Sequence, residues 1–450
     1  MNGPGISIVV DEGLGNCSYV VDLDDGRALV VDPGRDARPY LADAERRGLR
    51  IGLTAETHLH ADFVSGSREL AARGATVVAA RAAGLEHPHH GLAGGETLDV
   101  GGLSLEAIDT PGHTPEHLAY LLRDASRPVA LFTGGSLLVG AVARTDLVAP
   151  EATEDLARTL WRSIRQRLLC LPDDLAVYPT HGAGSFCSVA PGGERVTTIG
   201  RERATNPLLS APDEDAFVAR LLAGFGTFPT YFLELREVNR RGPRVYGQYP
   251  ALAPLDAVTV DGLLDDGAAL VDIRPVEAFA AGHVPGSFSI PLRPQFASWL
   301  GWLVERHRPL VFVADADADR DDLVRQCLAI GYERLAGELA GGIDAWAAGG
   351  RSLATVALVG PGEALGTIVD VRQRNEFAAG HVDGAFNMEL GDAAAHAAAL
   401  PAGRLTVMCG HGERAMSAAS ILAAHGRADV SVLVGGPADV AAARGQRLVE

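Results

Sequence analysis

The feature that most constrains this chain is an internal repeat. Val271-Asp272-Ile273-Arg274 returns as Val369-Asp370-Val371-Arg372, and Phe279-Ala280-Ala281-Gly282-His283-Val284 returns as Phe377-Ala378-Ala379-Gly380-His381-Val382. Both runs continue to a Gly-x-Phe, at Gly286 and at Gly384. Further on, Leu310–Val313 matches Leu405–Met408, Gly331 matches Gly426, and Gly341-Gly342 matches Gly435-Gly436. The offset stays between 94 and 98 residues throughout. A period of that length, with apolar runs and glycines in the same order, predicts two copies of one α/β domain of roughly 95 residues from about residue 252 onward.

The copies differ where chemistry would sit. In the second, the apolar strand Leu405–Met408 runs into Cys409-Gly410-His411-Gly412-Glu413-Arg414-Ala415 and then a helical pattern, Met416–Ala424. A strand–loop–helix rich in glycine lets successive backbone N–H groups turn inward and hold an anion, with the helix N-terminus adding positive potential. Cys409 stands at the mouth of that nest with Arg414 beside it, an arrangement suited to a sulfur nucleophile. In the first copy the same place reads Ala314-Asp315-Ala316-Asp317-Ala318-Asp319-Arg320, three carboxylates and no thiol. Cys327 falls in the helical pattern that follows and reads as core. The signature Asp370-x-Arg372, Glu376-Phe377, Gly380-His381-Val382-x-Gly384-Ala385 with Cys-x-x-Gly-x-Arg resembles the rhodanese sulfurtransferases over residues from about 357 to 450. The resemblance implies Cys409 as sulfur carrier, Arg414 as part of the anion cradle, Gly410, His411, Gly412, Glu413 and Ala415 as the substrate loop, and an inactive first copy.

Residues 1 to about 210 alternate short apolar runs (Tyr19–Val21, Ala28–Val31, Thr76–Ala79, Val129–Phe132) with helical patterns at Pro39–Arg47 and Thr153–Leu169. The second helix has Glu154 and Asp155 in its first turn, which suits the helix dipole. Residues from about 205 to 250 read as a punctuated connector with some helix, laid across this domain. Just past an apolar strand comes Thr57-His58-Leu59-His60-Ala61-Asp62-Phe63, two imidazoles and a carboxylate at alternate positions, a metal-ligand pattern. Asp109-Thr110-Pro111-Gly112-His113-Thr114, Phe132-Thr133-Gly134-Gly135-Ser136 and Pro179-Thr180-His181-Gly182 follow. In that order the four segments resemble the metallo-β-lactamase fold over about residues 5–200, closest to the branch of hydroxyacylglutathione hydrolases and persulfide dioxygenases. The resemblance implies an αββα sandwich. It also implies a first metal site of His58, His60 and His113, with Asp62 and His181 as candidates from a second.

Two positions depart from that family pattern. Phe63 replaces a second-site histidine, which argues against two metals. Gly135 replaces the aspartate that bridges the two metals, and that completes the iron site of the dioxygenases together with His58 and His113. One iron or zinc per chain is the expectation. Cys187, six residues past His181, reads either as a thiol facing the metal pocket, able to hold a substrate persulfide, or as core. Glu116 and His117 read as a solvated helix start, and His87-Pro88-His89-His90 as surface.

The composition narrows the remaining choices. A formal net charge of −18 argues against a nucleic-acid or anionic-membrane partner. No uncharged apolar stretch is long enough to span a bilayer. Five cysteines (17, 170, 187, 327, 409) without a CxxC pair read as free thiols in a reducing compartment. The start Met1-Asn2-Gly3-Pro4 shows no secretory pattern, so the cytoplasm is expected. The expected domains are 1–245 (metallo-β-lactamase fold with connector), 246–355 (inactive rhodanese-like) and 356–450 (active-type rhodanese). Together they resemble fused persulfide dioxygenase–sulfurtransferases, which implies a low-molecular-weight thiol persulfide, thiosulfate or sulfite as substrates. The alternatives are a mononuclear zinc thioester hydrolase, and a metal-free scaffold serving Cys409. A homo-oligomer is compatible with the sequence.

Overall fold

The structure, a computed structural model, describes residues 5–187, 193–427 and 429–449. Met1–Pro4, read above for a targeting signal, lie outside the described residues. The chain divides into two compact units, Met1–Tyr249 with Cys327–Gly331, and Pro250–Gln326 with Tyr332–Glu450.

The first unit holds two six-stranded sheets. One runs in the order β1 (Ile6–Asp11), β2 (Asn16–Asp22), β3 (Arg27–Val31), β4 (Arg50–Ala55), β5 (Thr76–Ala80), β6 (His90–Leu92). The other contains β7 (Thr97–Asp99), β8 (Leu103–Asp109), β9 (Leu118–Asp124), β10 (Arg127–Gly134), β11 (Ala176–Pro179) and β12 (Thr197–Thr198), in the order 12-11-10-9-8-7. Side chains alternate across a strand, and each face here is apolar. Tyr19, Val21, Leu29 and Val31 meet Leu118, Tyr120, Leu122, Ala130 and Phe132 between the sheets. Val20, Ala28 and Val30 face outward onto Tyr40 and Ala44 of helix Arg38–Arg46. Ala119, Leu121 and Leu131 face outward onto Leu160, Ile164, Phe217 and Leu221. Both faces of each sheet are thus covered, giving the α/β/β/α layering. Each large apolar side chain so buried contributes about 1.5–3 kcal/mol relative to exposure.

The helix expected over Thr153–Leu169 is α-helical only to Ser163 and continues as a π-turn, Ile164–Leu168, closed by Leu169 N–H donating to Ile164 O at 2.9 Å. The wider turn keeps both Ile164 and Leu168 against the sheet, where they are fully buried. The connector supplies helices Glu214–Ala223 and Phe232–Arg241.

The second unit contains two five-stranded, all-parallel sheets of identical topology. The first is built from β13 (Pro254–Leu255), β14 (Ala269–Asp272), β15 (Phe288–Ser289), β16 (Leu310–Val313) and β17 (Leu335–Leu339), ordered 13-17-16-14-15. The second is built from β18 (Ala357–Val359), β19 (Thr367–Asp370), β20 (Phe386–Asn387), β21 (Leu405–Met408) and β22 (Val430–Leu433), ordered 18-22-21-19-20. The repeated motifs do structural duty. Arg274 binds the Asp272 carboxylate (2.6 Å) and Gly282 O (2.8 Å), and Arg372 binds Asp370 (2.7 Å) and Gly380 O (2.9 Å). Phe279 stacks on His283 and Phe377 on His381, each at 3.8 Å. These contacts pin the end of the first core strand to the loop that returns to the sheet, which is why both copies keep them.

The copies also share a core. Val276, Phe279 and Ala280 of the first cluster with Val407, Met416, Ala419 and Leu422 of the second. Ser417 Oγ donates to Ser289 O (2.5 Å), and Ser289 N–H donates to Ser420 Oγ (3.2 Å). Helix Glu413–Ala424 is therefore covered by the first copy along much of its length.

Candidate metal centre and thiol loop

The metal-ligand pattern lies in the loop that leaves β4, and the other segments leave β8, β10 and β11, so they meet at one end of the sandwich. The loop is held from inside the same unit by the connector. Asn239 donates to His60 O (2.8 Å) and Phe63 O (2.9 Å) and accepts from Ser65 N–H, while Tyr231 Oη donates to Asp62 O (3.0 Å). His58, His60, Asp62, His113, His117 and His181 are all buried.

Donor and acceptor accounting fixes the tautomers. Thr57 Oγ1 gives its proton to Asp32 (2.7 Å), so it accepts from His58 Nδ1–H (2.9 Å), and His58 Nε2 keeps a lone pair. His181 Nδ1 faces Asn16 Oδ1 (3.0 Å) and Asp62 Oδ2 (3.2 Å), so its Nε2 is also a lone pair. These two Nε2 atoms stand 3.3 Å apart with no proton assigned between them. His113 Nδ1–H donates to Arg144 O (2.6 Å), which leaves a third Nε2 free. His60 Nε2 lies 3.2 Å from Asp32 Oδ1 and 3.1 Å from Glu56 Oε2, which leaves its Nδ1 unpartnered. Its other face stacks on Phe63 at 4.2 Å. Unpaired imidazole nitrogens converging in a buried site are what a cation needs, each oriented by a carboxylate, carbonyl or hydroxyl behind it.

Electrostatics agree. Burial, and then the neighbouring histidines, hold His58 and His113 well below the usual imidazole range, and burial lowers His117 to about 3. These imidazoles are neutral, as ligands must be. For His60 burial acts downward, but Asp32 and Glu56 prevail and raise it to about 10. Burial works against ionised Asp62 too, yet His181 and His60 keep it below the usual carboxylate range.

Three buried groups have ligand atoms within 4.8 Å of one another: His58, His60 and His181; His113, His181 and Cys187; and Asp32, Glu56 and His60. His181, expected only as a candidate, is common to the first two. His58 and His60 group with His181, and His113 groups with His181 and Cys187. Phe63 fills the place of an imidazole with a stacked ring. At Gly135 a Cβ would fall 2.4 Å from His113 Cδ2, 2.9 Å from His113 Cγ and 3.1 Å from the Ala143 Cβ, so the ring occupies the space a carboxylate would need. The residues present offer converging nitrogen donors of the kind that fit a metal ion. They do not form a set of two histidines and the position-135 carboxylate.

Sequence reading missed several participants. His117 and Glu116 are buried, and the chain passes directly into β9, so the expected solvated helix start is not there. His117 accepts Gly135 N–H (3.0 Å) on Nε2 and donates to Thr110 Oγ1 (2.8 Å), which fixes Gly135 without a free nitrogen. Glu116 accepts Leu59 N–H and pairs with Arg236. Asp32 and Glu56 orient His60. His87, read as surface, is half-buried and lines a narrow cavity with Glu56, His58 and His60, whereas His90 is exposed. Cys187 is fully buried, and a cavity of about 220 Å³ lined by Val142, Arg144, Phe186, Leu221 and Phe225 adjoins it.

In the second unit the buried strand β21 delivers Cys409 to a loop whose sulfur accepts Gly412 N–H at 3.1 Å. Gly412 adopts φ +110°, a left-handed conformation that favours glycine, and caps the helix. The helix therefore begins at Glu413, three residues before the expected Met416, and brings Glu413 and Arg414 into its first turn. Arg414 is gripped by both oxygens of Glu376 (2.6 and 2.9 Å) and lies over Trp299 of the first copy. Glu413 pairs with Arg293 of the first copy at 2.9 Å. A cavity of about 270 Å³ at this mouth is lined by Pro275, Val276 and Arg293 from one copy and His411, Glu413 and Val434 from the other. Gly410 borders the loop and Ala415 is buried in the helix. Ala314–Arg320 in the first copy holds no sulfur.

Residues 10–181 match the family model of the metallo-beta-lactamase superfamily, and residues 256–349 and 357–443 each match that of the rhodanese-like domain. Human mitochondrial persulfide dioxygenase ETHE1 is 31% identical over 197 residues, covering 43% of this chain and 71% of that protein. The chain belongs to the metallo-β-lactamase superfamily. A second relative in that superfamily, the hydroxyacylglutathione hydrolase of Methylococcus capsulatus, is 34% identical over 225 residues, covering 44% of this chain and 82% of the relative. The solved structure of a metallo-β-lactamase from Staphylococcus aureus subsp. aureus COL superposes with a TM-score of 0.67 at 28% identity, over 75% of this chain and 99% of that one. Two rhodanese-like domains therefore follow a metallo-β-lactamase-superfamily domain in one chain, which places it in sulfur metabolism. Among the described residues no helix is long and apolar enough to cross a membrane.

Proposed function

We propose that this chain is a sulfur-metabolism enzyme in which Cys409 carries sulfane sulfur between small molecules. The observation behind this is the Cys409 sulfur seated against Gly412 N–H at the start of a helix, in one copy of a duplicated domain and not in the other. Cys409 thiolate attacks the outer sulfur of thiosulfate. The S–S bond of thiosulfate breaks, its electron pair leaves with sulfite, and the sulfur stays as a Cys409 persulfide anion. An acceptor thiolate or sulfite then takes that sulfur and restores the Cys409 thiolate. Charge and atoms balance in both steps with no outside oxidant. The backbone nest stabilises the persulfide anion, and Arg414, oriented by Glu376, contributes a fixed positive charge beside it.

The N-terminal domain is read as the partner activity on a low-molecular-weight thiol persulfide, supported by its likeness to persulfide dioxygenase. In the ligand shell His58, His113 and His181 would hold one ion, with Asn16 and Asp62 beside His181 Nδ1; His60, expected as a ligand, is instead held as a cation by Asp32 and Glu56. Such an ion supplies Lewis-acid or oxygen-activating chemistry when bound. The absence of a carboxylate at position 135 favours zinc over iron, which gives the thioester hydrolase reading its support. The apolar lining beside Cys187 suits the hydrocarbon portion of a small substrate. The same reading divides the chain into residues 1–245, 246–355 and 356–450. Five unpaired cysteines support a reducing, cytoplasmic setting.

Metal analysis separates the two N-terminal activities. One iron per chain with oxygen uptake on glutathione persulfide supports oxidation, and one zinc with thioester cleavage supports hydrolysis. No metal after growth in supplemented medium removes both and leaves a scaffold. Cys409→Ser that retains thiosulfate sulfurtransferase activity overturns the carrier assignment.

A further inference from the structure

Among the histidines of the first unit stands a buried thiol, Cys187, with its ligand atom within 4.8 Å of those of His113 and His181. We propose that Cys187 is a metal ligand, its thiolate joining His113 and His181 in a single site with His58. It supplies the negative charge that position 135 does not.

Three observations carry this. First, the ligand atoms of His113, His181 and Cys187 lie within 4.8 Å of one another, and all three side chains are at most 1% exposed. Second, His58 Nε2 and His181 Nε2 are 3.3 Å apart with both lone pairs facing. A tetrahedral ion with metal–nitrogen bonds of about 2.0–2.1 Å sets neighbouring nitrogens about 3.3–3.4 Å apart, so the two imidazoles already span one tetrahedral edge. In a two-metal arrangement they would belong to different ions. Third, position 135 cannot be the anionic ligand, because it has no side chain and the His113 ring fills its space. Asp62 sets its Oδ2 3.2 Å from His181 Nδ1, the ring nitrogen opposite the one that meets His58. Cys187 is itself held in place: Arg144 N–H donates to Cys187 O (2.9 Å), and Cys187 N–H donates to Ser185 Oγ (3.2 Å). Arg144 O in turn fixes His113, so one residue sets both ligands.

Binding of a divalent cation displaces the Cys187 thiol proton to solvent, and the sulfur lone pair forms the bond with no change of oxidation state. The inference rests on the one-metal reading given above.

The test uses the full-length chain with Cys409→Ser, so that the carrier thiol does not contribute, loaded with cobalt(II). The expected result is one cobalt per chain with a sulfur-to-cobalt charge-transfer band in the near ultraviolet. Adding Cys187→Ser should remove that band and weaken cobalt binding at least tenfold. Cobalt bound without such a band overturns the inference, whatever the variant does. Cobalt bound with unchanged affinity and spectrum after Cys187→Ser also overturns it. In either case the one-metal reading stands, held by imidazoles alone. A protein that binds no cobalt overturns both. Thermal unfolding of each variant, read alongside, identifies one that has lost its fold, and the parent spectrum still decides.

Discussion

Restoring a side chain at position 135 should injure the protein, although relatives of this fold are expected to carry an aspartate there. The smallest perturbation is Gly135→Ala. Its Cβ would stand 2.4 Å from His113 Cδ2 and 2.9 Å from Cγ, whereas carbon atoms rest at about 3.5–4.0 Å. The ring must therefore retreat by more than an ångström. It is tethered by the 2.6 Å bond from Nδ1 to Arg144 O, so retreat breaks a buried hydrogen bond. Overpacking costs about 1–3 kcal/mol and a lost buried bond about 1 kcal/mol. Together these give about 2–4 kcal/mol, or roughly 5–15 °C in the melting transition of a domain this size. Differential scanning calorimetry of the metal-free protein reads this directly. Gly135→Asp should fall at least as far, because it also buries a carboxylate. Adding His113→Ala should make Gly135→Ala nearly neutral, a coupling a double-mutant cycle measures. A Gly135→Ala protein that melts within a degree of the parent would refute the packing argument, as would a well-folded Gly135→Asp that binds iron tightly.

Cys409→Ser should abolish thiosulfate:cyanide sulfurtransferase turnover without lowering the urea midpoint by more than a few tenths molar. In the first rhodanese-like copy, Asp272→Ala leaves the buried Arg274 guanidinium without its carboxylate. It should cost about 3–5 kcal/mol in urea unfolding, whereas Asp317→Ala in the sulfur-free loop should cost nothing measurable. The metal-free protein should lose stability from pH 7 to pH 5. His58, His113 and His117 have depressed values in the fold, so unfolding takes up protons below about 6.5 and stability falls with pH. His60, raised to about 10, acts oppositely: its contribution is complete below about 6.5 and is lost as pH climbs through 10. Melting temperatures that stay flat between pH 7 and 5 would contradict this assignment.

The duplicated domain was legible because its motifs are local and serve packing. Asp272-x-Arg274 and Phe279…His283 bond within ten residues of chain, so sequence spacing alone carries them. The thiol loop was legible for the same reason, except for its helix start, which Gly412 advances by adopting a left-handed backbone. In the first unit the order of the histidine segments could be read, but their grouping could not. Which of His58, His60, His113 and His181 share a centre depends on strand ends brought together across the sandwich. Asn239, which closes the ligand loop, lies 179 residues beyond His60, and its type suggests nothing by itself. Glu116 and His117 look like any polar pair after a Pro-Gly turn. Their burial follows from where β9 enters the sheet.

The core shared by the two rhodanese-like copies has a consequence for biosynthesis. The first copy leaves the ribosome first, with Val276, Phe279 and Ala280 lacking the helix they are to cover. At typical elongation rates the residues of Glu413–Ala424 follow after on the order of ten seconds. During that interval the early copy is a half-finished surface with apolar side chains uncovered. It then serves as the template on which the thiol-bearing copy closes. A gene trimmed to residues 356–450 would therefore yield a chain without its template. Shortage of soluble product, not loss of any catalytic group, should be what such a truncation reveals.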